Sequence, residues 1–120
     1  MPKRILIVDD EKEYTRLFHQ MLEPLDCEIV ELSFGSQVYA RLLEEPFDLI
    51  LLDYKMRDER GDMVCDNIRG DAKLKDIPII IVTAYYDLDE AFFKAMGAND
   101  VLYKPVNQGD LMEMVQKYLK

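Results

Sequence analysis

The chain has 120 residues, 49% of them hydrophobic and 32% charged, with a net charge of −9. This is typical of a single folded domain, here residues 1–120, and the acidic balance argues against direct nucleic-acid binding, which needs clustered Lys and Arg. The sequence lacks both a secretion signal and an apolar run near the ~20 residues that cross a bilayer, so we expect a cytoplasmic protein without membrane contact.

Two sequence periodicities alternate along the chain. Short aliphatic runs predict five strands, at Ile5–Val8, Glu28–Leu32, Leu49–Leu52, Ile79–Val82 and Val101–Tyr103. Apolar residues at helical spacing lie between and after them. The first helix has the stripe Tyr14, Leu17, Phe18, Met21, Leu22 and Leu25, the last has Leu111, Met114, Val115 and Tyr118, and weaker helical patterns cover 36–45, 62–70 and 87–96.

Capping signals mark several helix ends. Asp87 with Glu90, and Asn107 with Asp110, have the spacing by which a side chain satisfies free amide groups at a helix N-terminus. Gly97 stands where a helix needs a left-handed residue at its end.

The alternation predicts an α/β fold of the (βα)5 type. Continuous apolar strands indicate a doubly wound five-stranded parallel sheet with helices on both faces. The first, third and fourth strands are the most aliphatic and should be central, whereas the second alternates and belongs at an edge. Right-handed crossovers favour the flavodoxin-like order 2-1-3-4-5, with functional sites at the carboxyl ends of the strands.

Polar residues collect at those predicted strand ends. The first strand ends in Asp9 and Asp10, the third in Asp53, the fourth in Thr83 and the fifth in Lys104. Helix capping is an alternative explanation for the acid pair alone, because its second member lies three residues before a glutamate at position 13. It does not explain Asp53, which closes a strongly apolar strand.

This set of residues predicts metal-assisted phosphoryl chemistry. Oxygen ligands without His or Cys select Mg²⁺, or Mn²⁺, over zinc. Lys104 and Thr83 would add a positive charge and a hydrogen-bond donor for phosphoryl oxygens. Asp53 is the natural nucleophile, becoming an aspartyl phosphate, because Asp9 and Asp10 form a pair suited to the metal.

The sequence resembles the receiver domain of two-component response regulators, the CheY-like superfamily, over nearly its whole length. The motifs that carry the resemblance are "VDDE" at 8–11, "LLDYKMRDERG" at 51–61, "VTA" at 82–84, "GAND" at 97–100 and "YKP" at 103–105. It implies transfer of a phosphoryl group from a histidine kinase or phosphotransfer protein onto Asp53, with Mg²⁺ held by Asp9, Asp10, Asp53 and the backbone carbonyl of Lys55.

The resemblance also implies roles for the last two motifs. Thr83 and Lys104 would contact the phosphoryl group, and the Lys104–Pro105 peptide bond is expected to be cis. Self-phosphorylation from small phosphodonors and slow autodephosphorylation are then expected of a switch that is not a turnover enzyme. The expected output surface of this chain runs over the fourth helix, fifth strand and fifth helix, and it would contact a downstream protein, an output domain or a second copy of the chain.

Three features depart from the family pattern. Arg57 stands where proline is usual. Lys55 and Tyr85 stand two residues beyond Asp53 and Thr83, at positions that in the resembled family flank the route of water to the phosphoryl group. We interpret them either as crowding that route and lengthening phosphate lifetime or as merely solvated. Val101 stands at the position where the family usually has its switch aromatic, and valine has no ring to reorient. We therefore expect Tyr103, on the same strand face, or a shift of the 83–87 loop to carry the signal.

Three other function classes fit the sequence less well. A pseudo-receiver that only mediates protein contacts would normally lack an acid, the threonine or the lysine, and this chain has them all. A phosphatase with an aspartyl-phosphate intermediate would place a general acid where Lys55 stands. A nucleotide-binding protein would need a glycine-rich loop after the first strand, where this chain has Asp9-Asp10-Glu11.

Overall fold

The computed structural model describes residues 2–120 and contains one five-stranded sheet. Every strand pair is parallel, and the order is β2-β1-β3-β4-β5, as predicted. The edge position of the second strand and the central positions of the first, third and fourth are therefore confirmed. The strands are β1 Lys3–Val8, β2 Cys27–Leu32, β3 Leu49–Leu52, β4 Ile79–Thr83 and β5 Asp100–Tyr103.

Five helices cover the two faces of the sheet. Side chains of the first and fifth helices pack on one face, and those of the second, third and fourth pack on the other. The central strands bury both of their faces, which explains why they lack polar alternation. The helices are α1 Lys12–Met21, α2 Val38–Glu44 after a 3-10 turn at Gly35–Gln37, α3 Gly61–Arg69, α4 Glu90–Ala95 and α5 Gln108–Tyr118.

One helix start and one position in the α1 stripe differ from the sequence expectations. Helix α4 begins at Glu90, and its N-cap is Asp89, whose carboxylate accepts from the Phe92 N–H at 2.9 Å. The predicted cap at Asp87 is therefore wrong, because a second aspartate two residues later supplies the same acceptor at the actual start of the helix. Leu17 is 39% exposed and lies at the solvent edge of the α1 stripe.

Two other helix ends were predicted correctly. The Asn107 side chain caps α5 by accepting from the Asp110 N–H at 2.8 Å. Gly97 has a φ of 114°, in the region that glycine adopts without a Cβ clash.

One arginine fixes the end of the sheet where β4 and β5 begin. The Arg69 guanidinium, at the end of α3, donates to the carbonyls of Gly97 and Ile77 at 2.9 and 2.7 Å and to the side-chain oxygen of Asn99 at 2.8 Å. The same Asn99 oxygen accepts from the Ile79 N–H. The α3–β4 and α4–β5 connections are thus joined at the amino ends of β4 and β5.

Across residues 2–120, none of the helices combines the length and the apolar character needed to cross a membrane.

Candidate functional site

The backbone ladder brings the predicted site residues to one edge of the sheet. The Asp53 N–H donates to the Val8 carbonyl at 2.9 Å, so β1 and β3 end side by side. The Lys104 N–H donates to the Thr83 carbonyl at 2.7 Å, which does the same for β4 and β5. The Lys104–Pro105 peptide bond that follows is cis, as expected.

Three carboxylates meet at this edge. Asp9, Asp10 and Asp53 each offer an oxygen atom, and these three atoms lie within 4.8 Å of one another. Asp9 and Asp53 are only 2% and 7% exposed, and the Asp10 side chain is 12% exposed. Residues far apart in the sequence therefore form one compact acidic cluster.

Lys104 provides the positive charge of the cluster. Its buried ammonium donates to Asp9 Oδ2 at 2.7 Å and lies 3.8 Å from Asp53 Oδ1. It also lies 3.9 Å from the centroid of the Tyr14 ring, where a cation–π contact offsets part of its lost hydration. Burial alone would lower the pKa of Lys104, but the hydrogen bond that its ammonium donates to Asp9 and the charge of Asp53 outweigh burial, and the pKa is raised.

Asp53 is the acid most strongly perturbed by this environment. Burial, followed by the neighbouring Asp9 carboxylate, raises the pKa of Asp53 from 3.8 to about 7. Lys104 and the Tyr54 N–H, which donates to Asp53 Oδ1 at 2.9 Å, oppose that rise without cancelling it. The negative charge of ionised Asp53 is therefore only partly balanced by its neighbours. A cation placed among the three acids would favour its ionisation.

The donor set fits a hard divalent cation. Three ionised carboxylates and one ammonium leave two negative charges, which one divalent cation neutralises. The three donors are carboxylate oxygens, the ligands that Mg²⁺ and Mn²⁺ prefer over the nitrogen and sulfur ligands of zinc.

The loop after β3 passes close to the acidic cluster. The backbones of Lys55 and Arg60 pair in an antiparallel bridge, which folds this loop back toward α3. A Cβ at Gly61 would lie 3.0 Å from the Asp53 carbonyl oxygen and 3.1 Å from the Tyr54 Cα, so the tight approach requires glycine.

Asp10 does not cap α1, contrary to the alternative explanation for the acid pair. The helix begins after Glu11, whose N–H donates to Asp9 Oδ1 at 2.9 Å. The Asp10 carboxylate accepts instead from the Arg57 backbone N–H at 2.9 Å. The acid pair is thus divided, with Asp9 bonded to Lys104 and Asp10 bonded to the loop after β3.

Thr83 is fully buried at the end of β4. Its hydroxyl oxygen accepts from the Tyr85 N–H at 3.1 Å, and its hydroxyl hydrogen can donate to another group. The two departures flagged from sequence lie together, because the Lys55 ammonium is 5.6 Å from the centroid of the Tyr85 ring. Hydrogen bonding and then charge interaction with the Tyr85 side chain raise the pKa of Lys55.

Val101 and Tyr103 pack against the same core cluster, whereas Leu102 packs against the opposite one, so their predicted common face is confirmed. The Tyr103 hydroxyl donates to the Leu88 carbonyl at 2.6 Å, and its ring lies 6.4 Å from that of Tyr86. Tyr103 thereby connects β5 to the loop before α4.

Tyr54 makes aromatic contacts that were not predicted from the sequence. Its ring meets those of Phe93, Phe92 and Tyr85 at centroid distances of 5.4, 5.9 and 6.0 Å. The position of Tyr54 between Asp53 and Lys55 was the one available sequence signal for a role at the site. Its contacts with the β4–α4 loop and with α4 join distant segments, so they leave no local sequence pattern.

Comparison with known protein families decides the classification. The response regulator receiver domain family matches residues 5–116. The chain belongs to this family. The resemblance seen in the sequence is therefore confirmed, and the chain is a receiver domain of two-component systems, a signalling module rather than a classical enzyme. Receiver domains of this kind interact with histidine kinases and output domains.

Curated relatives include both long and short response regulators. The chain is 32% identical to the transcriptional regulatory protein GltR of Pseudomonas aeruginosa and 31% identical to CpxR of Escherichia coli K12. It aligns over 98% of its own length but 49% of theirs, so it spans about half of these relatives. The response regulator DivK of Brucella anthropi is 29% identical, with 99% of this chain and 98% of DivK aligned.

Solved receiver structures confirm the CheY-like fold. A CheY-like receiver domain protein from Methanospirillum hungatei is 30% identical, with a TM-score of 0.87 over 98% of this chain and 93% of that one. The receiver domain of the sensor histidine kinase PA1611 from Pseudomonas aeruginosa is 25% identical, with a TM-score of 0.88 over 98% of both chains. That structure has a magnesium ion coordinated in its active site cleft.

Proposed function

We propose that this receiver accepts a phosphoryl group on Asp53 from the phosphohistidine of a histidine kinase or phosphotransfer protein. An Asp53 carboxylate oxygen attacks phosphorus, the phosphorus–nitrogen bond breaks, and the histidine ring leaves with the nitrogen electron pair and takes up a proton. The observation that carries the proposal is the convergence of Asp9, Asp10, Asp53 and Lys104 at one edge of the sheet.

The proposed metal ligands are the carboxylates of Asp9, Asp10 and Asp53 and the backbone carbonyl of Lys55. Mg²⁺, or Mn²⁺ in its place, would supply the charge that makes an incoming phosphoryl group tolerable beside three acids. The ion in the PA1611 receiver supports this assignment, as does the oxygen-only donor set of this chain.

Lys104 and Thr83 are the proposed phosphoryl contacts. The Lys104 ammonium already lies 3.8 Å from Asp53, close enough to reach an oxygen of a group attached there. Phosphorylation adds about two negative charges. Thr83 would donate its hydroxyl hydrogen to the phosphoryl group, and the 83–87 loop would move with it.

The output signal is proposed to pass through the 83–87 loop and Tyr103, because Val101 has no ring to reorient. The hydrogen bond from Tyr103 to the Leu88 carbonyl lies between that loop and α4. A displacement of Thr83 and its loop would therefore act on this bond. The surface formed by α4, β5 and α5 is the proposed contact for a downstream protein, an output domain or a second copy of the chain.

Lys55 and Tyr85 are proposed to slow hydrolysis of the phosphoryl group. Their side chains lie together on the loops that follow β3 and β4, each two residues beyond a strand-end residue, Asp53 or Thr83. A long cation beside a phenol would restrict the approach of water to phosphorus. Phosphorylated receiver would then persist longer than if both side chains were small.

The wider assignments are also proposals. We take residues 1–120 as one receiver domain and the cytoplasm as its location. The alternative, a receiver that works through protein contacts without phosphorylation, is disfavoured because the three acids, Thr83 and Lys104 are all present and assembled.

Intact-mass measurement after incubation with acetyl phosphate and MgCl₂ tests the proposal. Wild type should gain the mass of one phosphoryl group, and Asp53→Asn should gain none. Asp58→Asn is the matched control, because Asp58 lies on the same loop with its carboxylate on the Gly35 and Ser36 amides. Modification of Asp53→Asn to the same extent as wild type, or of neither protein, would refute the assignment.

A further inference from the structure

Arg57 is bonded to one of the proposed metal ligands in two ways. Its backbone N–H donates to Asp10 Oδ2 at 2.9 Å, and its side-chain Nε lies 3.4 Å from the same oxygen. The family pattern described above has proline at this position, and proline supplies neither group. Both contacts are therefore consequences of the residue that distinguishes this chain.

The two partners differ in exposure. The Asp10 side chain is 12% exposed, whereas that of Arg57 is 84% exposed. Release of the guanidinium would cost little, because an exposed ion pair is weak and water replaces the lost contact. The hydrogen bond from the Arg57 backbone N–H fixes the Asp10 carboxylate, and the Arg57 guanidinium adds a positive charge that can move away into solvent.

We propose that Arg57 is a tethered counter-ion that competes with divalent metal for Asp10 and sets the metal affinity of this receiver. Metal binding to the acidic cluster would compete with a charge already in contact with one ligand. The guanidinium would move into solvent as the ion enters, while the backbone N–H holds the carboxylate in place. Arg57 would thereby lower the affinity of the acidic cluster for the metal ion. At low metal concentration, the guanidinium would balance the negative charge of Asp10.

This inference rests on the proposed metal site, and the magnesium ion alone is the probe. Affinity is measured from amide chemical shifts in nitrogen-15 correlation spectra as MgCl₂ is added. Arg57→Gln, which removes the charge, should bind Mg²⁺ about two- to fivefold more tightly than wild type, the range that an exposed ion pair supports. Arg57→Lys, which keeps the charge, should stay near wild type.

Arg60→Gln is the matched control. Arg60 is an exposed arginine three residues along the same loop, and its guanidinium pairs with Asp62 instead of the acidic cluster. Its replacement removes one positive charge from the loop without touching Asp10. The gain from Arg57→Gln should exceed that from Arg60→Gln, and it should shrink between about 0.03 M and about 0.3 M NaCl as salt screens the pair.

The outcomes separate the two levels of the inference. Equal affinities for Arg57→Gln and Arg60→Gln, with clear Mg²⁺ binding by wild type, overturn the role of Arg57 and leave the metal site intact. If Mg²⁺ shifts no amide resonance of Asp9, Asp10 or Asp53 in wild type, the metal site itself is refuted, and the role of Arg57 with it.

Discussion

Replacement of Asp53 by Asn tests the electrostatics of the acidic cluster without any phosphoryl chemistry. The unfolded chain releases the Asp53 proton near pH 3.8, whereas the folded chain holds it until about pH 7. Folding therefore takes up a proton within this window, and the stability of wild type falls as pH rises through it. Asn does not titrate, so Asp53→Asn should escape this loss.

The expected size follows from the pKa. A rise from 3.8 to about 7 spans about three pKa units, and each unit corresponds to about 1.36 kcal/mol. The variant should therefore gain up to about 4 kcal/mol over wild type above pH 7, and little near pH 4. This is an upper limit, because the Asn amide is itself a buried polar group.

The assay is urea unfolding in EDTA at several pH values between about 4 and about 8. Far-UV circular dichroism is the suitable signal, because the chain has no tryptophan. Asp66→Asn, which changes an exposed acid on α3, is the control and should parallel wild type. If the Asp53→Asn difference is the same at every pH, Asp53 ionises normally in the folded chain and the reasoning is wrong.

The remaining predictions concern the same edge of the sheet. Lys55→Asn and Tyr85→Ala should each shorten the lifetime of the phosphorylated receiver several-fold, because water gains a route to phosphorus; unchanged dephosphorylation rates in an intact-mass time course would remove that idea. Lys104→Ala should destabilise the metal-free domain by about 3–5 kcal/mol, because it leaves Asp9 buried without its cation, and urea unfolding in EDTA measures the loss. A cost below about 1 kcal/mol would mean that the pair is solvated. Tyr103→Phe removes the bond to the Leu88 carbonyl and should cost about 1 kcal/mol; Tyr103→Ala should weaken binding of the phosphorylated receiver to its partner, and normal binding would exclude the tyrosine from output.

The sheet could be predicted from the sequence because its signals are local. Strands such as β3, with four consecutive buried aliphatic residues, have no polar position to place on a solvent face. The site followed from the same logic, since the carboxyl ends of parallel strands share one edge, and Asp9, Asp53 and Thr83 are read directly off the strand ends.

The features that escaped sequence analysis are set by contacts between distant segments. Asp87 and Asp89 both offer a capping carboxylate, and only the path of the loop decides that Asp89 is used. Asp10 has the spacing of a helix cap, yet its carboxylate turns toward Arg57, 47 positions away in the sequence. The contact of the Tyr54 ring with Phe93 likewise depends on where α4 packs. The spacing of residues within 51–61 does not encode the position of that helix.

The arginine clamp at Arg69 has a consequence for how movement can spread through the molecule. It anchors the amino ends of β4 and β5, while Thr83 and Lys104 lie at the opposite, carboxyl ends of these strands. A change at Asp53 should therefore move the β4–α4 loop relative to the anchored amino ends of β4 and β5, without displacing the whole strands. The output signal would then consist of small local movements at the carboxyl ends of the strands, with the amino ends of β4 and β5 held in place.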